Sequence, residues 1–76
     1  MMKNTAKLVT IKRVCVINEV DDITKKITKV IIILNTSNRE FINITDTSKM
    51  TRLEAICTAI NLQNHALSLY KGSNPT

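Results

Sequence analysis

The sequence contains few of the residues on which nucleotide sites and base-binding surfaces depend. Among its 76 residues there are one glycine and one proline, and both lie within the last five positions. A phosphate-binding loop needs several glycines close together so that its backbone can approach the phosphate, and the sequence therefore excludes one. Tryptophan is absent, and one phenylalanine and one tyrosine are too few for a platform on which single-stranded bases stack.

Residues that carry catalysis or bind metals are also scarce. The chain has one histidine, His65, and two cysteines, Cys15 and Cys57. Nucleophilic catalysis needs a base beside the nucleophile, and a zinc site needs closely spaced Cys or His pairs, neither of which is present. We therefore expect a non-enzymatic protein without a metal or another cofactor, in which both cysteines pack in the core as small hydrophobes.

No apolar run in the sequence is long enough to span a membrane. The apolar segment near the start is interrupted by Lys12 and Arg13 before it reaches the length of a signal-peptide core. These features predict a cytoplasmic protein with reduced cysteines. The frequent Ile, Asn and Lys residues have AU-rich codons, which indicates an AT-rich genome and suits a viral or mobile-element protein.

The length predicts a single domain near the lower limit for independent folding, where association with another chain often adds stability. We expect a flexible lead-in over residues 1–5, one domain over residues 6–71 and a disordered tail over residues 72–76. The formal net charge is +5 and the pI is about 9.6, so anionic partners are favoured.

The most apolar stretch is the run from Val30 to Leu34, in which all five residues are branched. The run is rich in β-branched residues and too short for a membrane span, which is typical of a strand. Successive side chains of a strand point to opposite faces of the sheet, so an unbroken apolar run needs cover on both faces. A chain this short has little material for two layers.

A second strand precedes this run, over residues 7–18, where apolar and polar positions are mixed. Between the two strands, Asp21 and Asp22 predict a short turn. With Glu19 they form a small acidic group, but they lack the glycine and the spaced oxygens of a calcium loop. A solvated turn therefore explains them best.

A two-residue turn determines how these strands pair. It places Ile11 opposite Ile32, and Arg13 opposite Val30, in an antiparallel hairpin. A shift of one residue in one strand would exchange the faces, so the assignment depends on this register. The predicted core face carries seven apolar residues: Val9, Ile11, Cys15, Ile17, Val30, Ile32 and Leu34.

A third strand is predicted over residues 39–44, after a turn rich in Asn, Thr and Ser. A helix follows, because Thr51 and Glu54 have the spacing of a capping box and Met50, Leu53, Ile56, Cys57 and Ile60 recur at helical intervals. Residues 66–71 either continue the helix or form a fourth strand. The predicted fold is thus α+β: a three-stranded antiparallel meander with one amphipathic helix on one face, βββα or βββαβ.

The face opposite the helix suggests a function, because it has no cover of its own. A face this apolar is typical of a protein interface, and we expect it to bind a second copy or a target protein. A symmetric homodimer is the simplest solution, since it needs only one self-complementary surface. The predicted interface residues are Val14, Val16, Ile27, Ile31 and Ile33.

Binding of nucleic acid is the alternative hypothesis, since a sheet or ribbon with basic side chains can enter a DNA groove. Apolar residues among the lysines, and positive charge near the start of a helix, favour the protein partner instead. The residues that would contact nucleic acid are Lys12, Lys25, Lys29, Lys49 and Arg52.

Overall fold

The computed structural model describes residues 10–73 and has three strands followed by a helix. The elements are β1 (Ile11–Val20), β2 (Ile27–Thr36), β3 (Glu40–Asp46) and α1 (Arg52–Ser73). The strands form an antiparallel sheet in the order β1-β2-β3, which confirms the α+β class and the βββα arrangement. The helix continues through residues 66–71 and includes Gly72 and Ser73, so the fourth strand is wrong. The predicted lead-in, residues 1–5, lies outside the described residues.

The turn between β1 and β2 is longer than the two residues expected from Asp21 and Asp22. The backbone N–H of Asp21 donates to the carbonyl of Lys26, so four residues form the loop. The carboxylate of Asp21 closes this loop by accepting bonds from the backbone of Ile23 and Thr24 and from the Thr24 hydroxyl, at 3.1, 2.8 and 3.0 Å. These bonds, those from Thr24 foremost, lower the pKa of Asp21 below its ordinary value.

An irregularity next to this turn changes the register of the hairpin. Val20 pairs with Ile27 but Glu19 pairs with Lys29, which leaves Thr28 as an extra residue in β2. The longer loop moves the pairing by four residues and the bulge adds a fifth, so Val14 lies opposite Leu34 and Val16 opposite Ile32. Because five is an odd number, the two faces of β1 are exchanged relative to the expectation from sequence.

The exchange corrects most of the predicted faces of β1, whereas in β2 the faces from Lys29 to Leu34 are as predicted and Ile27, which precedes the bulge, packs on the core side instead of the open side. Cys15 and Ile17 lie on the open face rather than in the core, and Ile11 returns to the helix side only through a second irregularity at Lys12. Val9 lies outside the described residues. The core consists of Val30, Ile32, Ala59 and Ala66, against which five partly buried residues pack: Val14, Val16, Ile27, Leu34 and Leu62.

The capping box that begins α1 is confirmed. Glu54 Oε1 accepts from the backbone N–H of Thr51 at 3.1 Å, and Thr51 Oγ1 accepts from the backbone N–H of Glu54 at 3.2 Å. The face of the helix that meets the sheet differs from the prediction, however. Ala55, Ala59 and Ala66 are buried there, whereas the larger apolar residues that were expected to pack on the sheet are exposed: Leu53, Ile56, Cys57 and Ile60.

The small alanine side chains allow α1 to lie close to the sheet. The helix backbone lies close to β1 and β2 to a similar extent and farther from β3. It therefore covers two of the three strands and leaves the helix side of β3, including Phe41, partly exposed. Arg39 lies over the Phe41 ring, with its guanidinium carbon 4.6 Å from the ring centre.

Thr47 is fully buried and fastens the segment after β3 to the start of β2. Its hydroxyl donates to the carbonyl of Ile27 at 2.7 Å, and its backbone N–H donates to the carbonyl of Thr28 at 3.0 Å. Replacing Thr47 by valine keeps the shape but removes the hydroxyl. We expect the free energy of unfolding, measured by urea titration, to fall by about 1 kcal/mol.

Serine at position 47 is the matched control, because it keeps the hydroxyl and loses only a methyl group. Thr47→Ser should therefore keep the hydrogen bond to the Ile27 carbonyl. Its free energy of unfolding in urea should stay closer to that of the wild type than that of Thr47→Val. A Thr47→Val protein as stable as the wild type would show that this bond does not stabilise the loop.

Candidate protein interface

The sheet surface that faces away from α1 carries a continuous apolar patch. Antiparallel pairing aligns its side chains in two adjoining rows that run across all three strands. One row is Ile17, Ile31 and Ile44, and the other is Cys15, Ile33 and Ile42. We refer to these six residues as the isoleucine face.

Much of the isoleucine face is exposed to solvent. Ile42 and Ile44 on β3 are 58% and 60% exposed and Ile17 on β1 is 42% exposed, while Ile31 and Ile33 between them are half-buried by their neighbours. Contiguous apolar patches of this kind on small proteins commonly mark interaction sites. The β2 residues form the centre of the patch and the residues of the two outer strands form its sides.

A polar row borders the isoleucine face at one end, where Arg13, Asn35 and Glu40 lie side by side on the three strands. In the amide orientation that satisfies both neighbours, Asn35 donates to Glu40 Oε2 at 3.2 Å and accepts from Arg13 Nη2 at 3.3 Å. The side-chain amide of Asn35 thus links the Arg13 guanidinium to the Glu40 carboxylate by hydrogen bonds.

The row at the other end consists of Glu19, Lys29 and Asp46. Lys29 Nζ lies 3.8 Å from Glu19 Oε1. The hydroxyl and backbone N–H of Ser48 donate to Asp46 Oδ1 at 2.6 and 2.9 Å and, together with the lysine charges nearby, lower the pKa of Asp46. An apolar centre with a polar rim is the usual anatomy of a protein–protein interface.

The predicted interface residues divide between the two faces of the sheet. Ile31 and Ile33 lie on the open face, as expected from the sequence. Val14, Val16 and Ile27 instead pack against the core beneath the helix, so their assignment to an uncovered face is wrong. The cause is the register shift produced by the longer loop and the bulge.

Four residues of the isoleucine face were missed. Cys15 and Ile17 were assigned to the core, and Ile42 and Ile44 on β3 were not assigned to a face. Their positions two residues apart were a usable signal, because two apolar residues at that spacing in a strand lie on the same face.

The helix carries a second exposed apolar surface. Leu53, Ile56, Ile60 and Leu67 are 71%, 40%, 51% and 42% exposed, respectively. Their spacing of three, four and seven residues places them along one side of α1, and we refer to them as the helix stripe. Cys57 is exposed nearby, and both cysteines are free thiols, so the expectation that they pack in the core is wrong.

Of the five basic residues of the alternative hypothesis, Lys12 lies apart from the other four, which lie at or near the end of the sheet that carries the β1–β2 turn. Lys12 lies at one end of β1, and Lys29 lies opposite Glu19 at the other end. Lys25 belongs to the turn, where it has a positive φ of 62°, and not to a strand face as predicted. Arg52 contacts this turn through a hydrogen bond from its guanidinium to the carbonyl of Thr24.

A cation that the sequence analysis did not single out, Lys26, also belongs to this end of the molecule. Its ammonium group donates to the carbonyl of Ser48 at 2.8 Å and so joins the turn to the segment before α1. Asp21 and Asp22 lie in the same turn. The basic groups here fasten two loops together and have carboxylates beside them.

Two surface cavities flank β3. One, of about 200 Å³, lies between β3 and α1 and is lined mainly by apolar side chains, with His65 and Asn43 as its polar residues. The other, of about 310 Å³, lies at the β2–β3 turn beside Arg39 and Phe41. Among the residues that the structure describes, no three His, Cys, Asp or Glu side chains are grouped so that they could hold a metal ion.

No protein-family model, curated protein or solved structure matches this chain. Within residues 10–73, no helix is both long enough and apolar enough to cross a membrane.

Proposed function

We propose that this protein is a non-enzymatic interaction module that binds a protein target through the isoleucine face. The observation that carries the proposal is the pair of adjoining apolar rows, which span the whole width of the sheet and remain open to solvent. Covering them removes apolar surface from water, which is the main driving force of protein association. The module acts by occupying a surface of its target.

The charges around the isoleucine face support a protein target over nucleic acid. Binding to a phosphate backbone depends on cations that are available to replace counterions. The two cations of the rim, Arg13 and Lys29, are instead engaged with Asn35 and Glu19. Charges of both signs around an interface are typical of binding to a protein, because they orient the partner and disfavour proteins with a different charge pattern.

The cytoplasm is the compartment that we propose for this binding. Cys15 lies within the isoleucine face and Cys57 lies on the exposed side of the helix, and both are free thiols. Exposed thiols persist in the reducing cytoplasm, whereas they oxidise readily in secretory compartments.

Affinity capture from cells of the source organism or its host, quantified by mass spectrometry, tests the target site. Lysine at position 42 or 44 places a charge within the isoleucine face without entering the core. Since one apolar residue buried in an interface can contribute more than 1.4 kcal/mol to binding, we expect at least about a tenfold loss of the captured target.

Ile23→Lys is the matched control, because Ile23 lies in the β1–β2 turn, is 90% exposed and does not belong to the isoleucine face. It should capture the same proteins as the wild type. Circular dichroism confirms that each variant is folded. If Ile42→Lys and Ile44→Lys retain every protein that the wild type and the control capture, the isoleucine face does not bind the target.

A further inference from the structure

We infer that two copies of this chain associate along the outer edge of β1 and the helix stripe, which leaves the isoleucine face free for the target. The inference concerns the edge of β1 and the helix stripe, which adjoin the isoleucine face along its rim, and Ile44→Lys and Ile60→Lys test the two proposals separately. It follows from where the helix stripe lies, from the geometry of the sheet edge and from the charges along β1.

The helix stripe lies on the side of α1 that points away from β3. Leu62, His65 and Leu69 line the cavity that α1 shares with Asn43 of β3, so these residues mark the flank of the helix that faces β3. At 100° per residue, the stripe lies about half a turn round the helix from that flank. It therefore projects over the outer edge of β1.

The outer edge of β1 is the second feature on this side of the molecule. The sheet order is β1-β2-β3, and no strand within residues 10–73 pairs with the outer side of β1 between Arg13 and Glu19. Such an edge presents unpaired N–H and C=O groups, to which another strand can hydrogen-bond and so extend the sheet. The apolar helix stripe and this polar edge thus lie next to each other on one side of the molecule.

The spacing of strands and helices allows a second copy to use both features together. The helix lies above β1 and β2, and neighbouring strands are about 4.8 Å apart. A helix centred above β1 and β2 has its axis half a strand spacing, about 2.4 Å, to the inner side of β1. A two-fold axis the same distance outside β1 would therefore lie about 4.8 Å from the helix axis. The two helices would then be about 10 Å apart, within the usual range of roughly 8–10 Å for packed helices.

The charges along β1 favour antiparallel pairing centred on Val16. In that register Arg13 lies opposite the partner's Glu19, and Cys15 lies opposite the partner's Ile17. Two pairs of opposite charge then form across the axis. At the other edge of the sheet, pairing of β3 centred on Asn43 would place Glu40 opposite the partner's Asp46, and like charges directly opposite are unfavourable.

The resulting dimer has one continuous six-stranded sheet with two antiparallel helices on one side. Because the two-fold axis is perpendicular to the sheet, both isoleucine faces lie together on the other side. Two sets of five isoleucines then form one extended surface for the target.

Charge exchange across the β1 edge tests this dimer, with its dissociation constant measured by analytical ultracentrifugation. Arg13→Glu and Glu19→Arg each place two like-charged pairs across the axis, so each should raise the dissociation constant at least tenfold. The double variant restores opposite charges and should return the constant to within about threefold of the wild type. Ile60→Lys, in the centre of the helix stripe, should also weaken the dimer at least tenfold.

Ile23→Lys and Ile44→Lys are the controls that should leave the dissociation constant unchanged. Thermal melts monitored by circular dichroism identify any variant that is unfolded rather than monomeric. A wild-type protein that remains monomeric at about 1 mM would overturn the inference. So would a double variant that fails to recover dimerisation, or an Ile44→Lys protein that dissociates as strongly as Ile60→Lys.

The two proposals can fail separately. Ile44→Lys should lose the target and remain dimeric, whereas Ile60→Lys should become monomeric and still bind the target through one isoleucine face.

Discussion

Ile32→Ala is expected to lower the free energy of unfolding by about 2–5 kcal/mol. Ile32 lies in the centre of β2 on the helix side, is only 7% exposed and belongs to the core cluster with Val30, Ala59 and Ala66. Truncation to alanine removes apolar contacts and leaves a cavity that a small core cannot fill. In a 76-residue protein this loss is a large part of the total stability, so much of the variant should be unfolded.

Ile44→Ala is the matched control, since it removes the same atoms from the opposite face of the sheet. Ile44 is 60% exposed, and the isolated protein should lose well under half as much stability as with Ile32→Ala. Chemical denaturation followed by circular dichroism measures both. Equal losses, or a larger loss at position 44, would contradict the placement of the core between the sheet and α1.

Ala59→Asp is expected to unfold the protein. Ala59 is 4% exposed at the contact between α1 and the sheet, and an aspartate side chain is too short to carry its charge out to solvent from there. A buried and unpaired charge costs several kcal/mol, which is comparable with the stability of a domain of this size. Circular dichroism and the dispersion of amide NMR signals at 25 °C measure the loss of structure.

Ile60→Asp introduces the same charge at the next position, where the side chain is 51% exposed. It should remain folded at a protein concentration at which the wild type is monomeric. The two variants distinguish the observed orientation of α1 from the one expected from sequence, which buried Ile60. A folded Ala59→Asp protein together with an unfolded Ile60→Asp protein would show that the orientation described here is wrong.

Local patterns in the sequence predicted the elements of this fold well. The branched run of β2, the polar turns and the capping box of Thr51 and Glu54 each depend on neighbouring residues, and each element formed where such a pattern occurs. The division of β2 from Lys29 to Leu34 into a core side and an open side was also predictable, because strict alternation within a regular strand needs no information from its neighbours.

The relation between elements was less predictable. The register of β1 depends on the length of a loop without glycine and on the extra residue Thr28, and neither has a clear sequence signal. The orientation of α1 depends on Ala55, Ala59 and Ala66, which pack closely because they are small, whereas periodicity arguments favour large side chains. The isoleucine face was therefore only partly identified.

The bulge at Thr28 makes the identity of the exposed surface sensitive to insertions and deletions. Gain or loss of one residue between Glu19 and Lys29 would turn β1 over, so that Val14 and Val16 faced outward and Cys15 and Ile17 turned towards α1. Gain or loss of two residues would move β1 along β2 but keep the same side chains outward. Related chains that share this function should therefore vary in hairpin length by even numbers of residues.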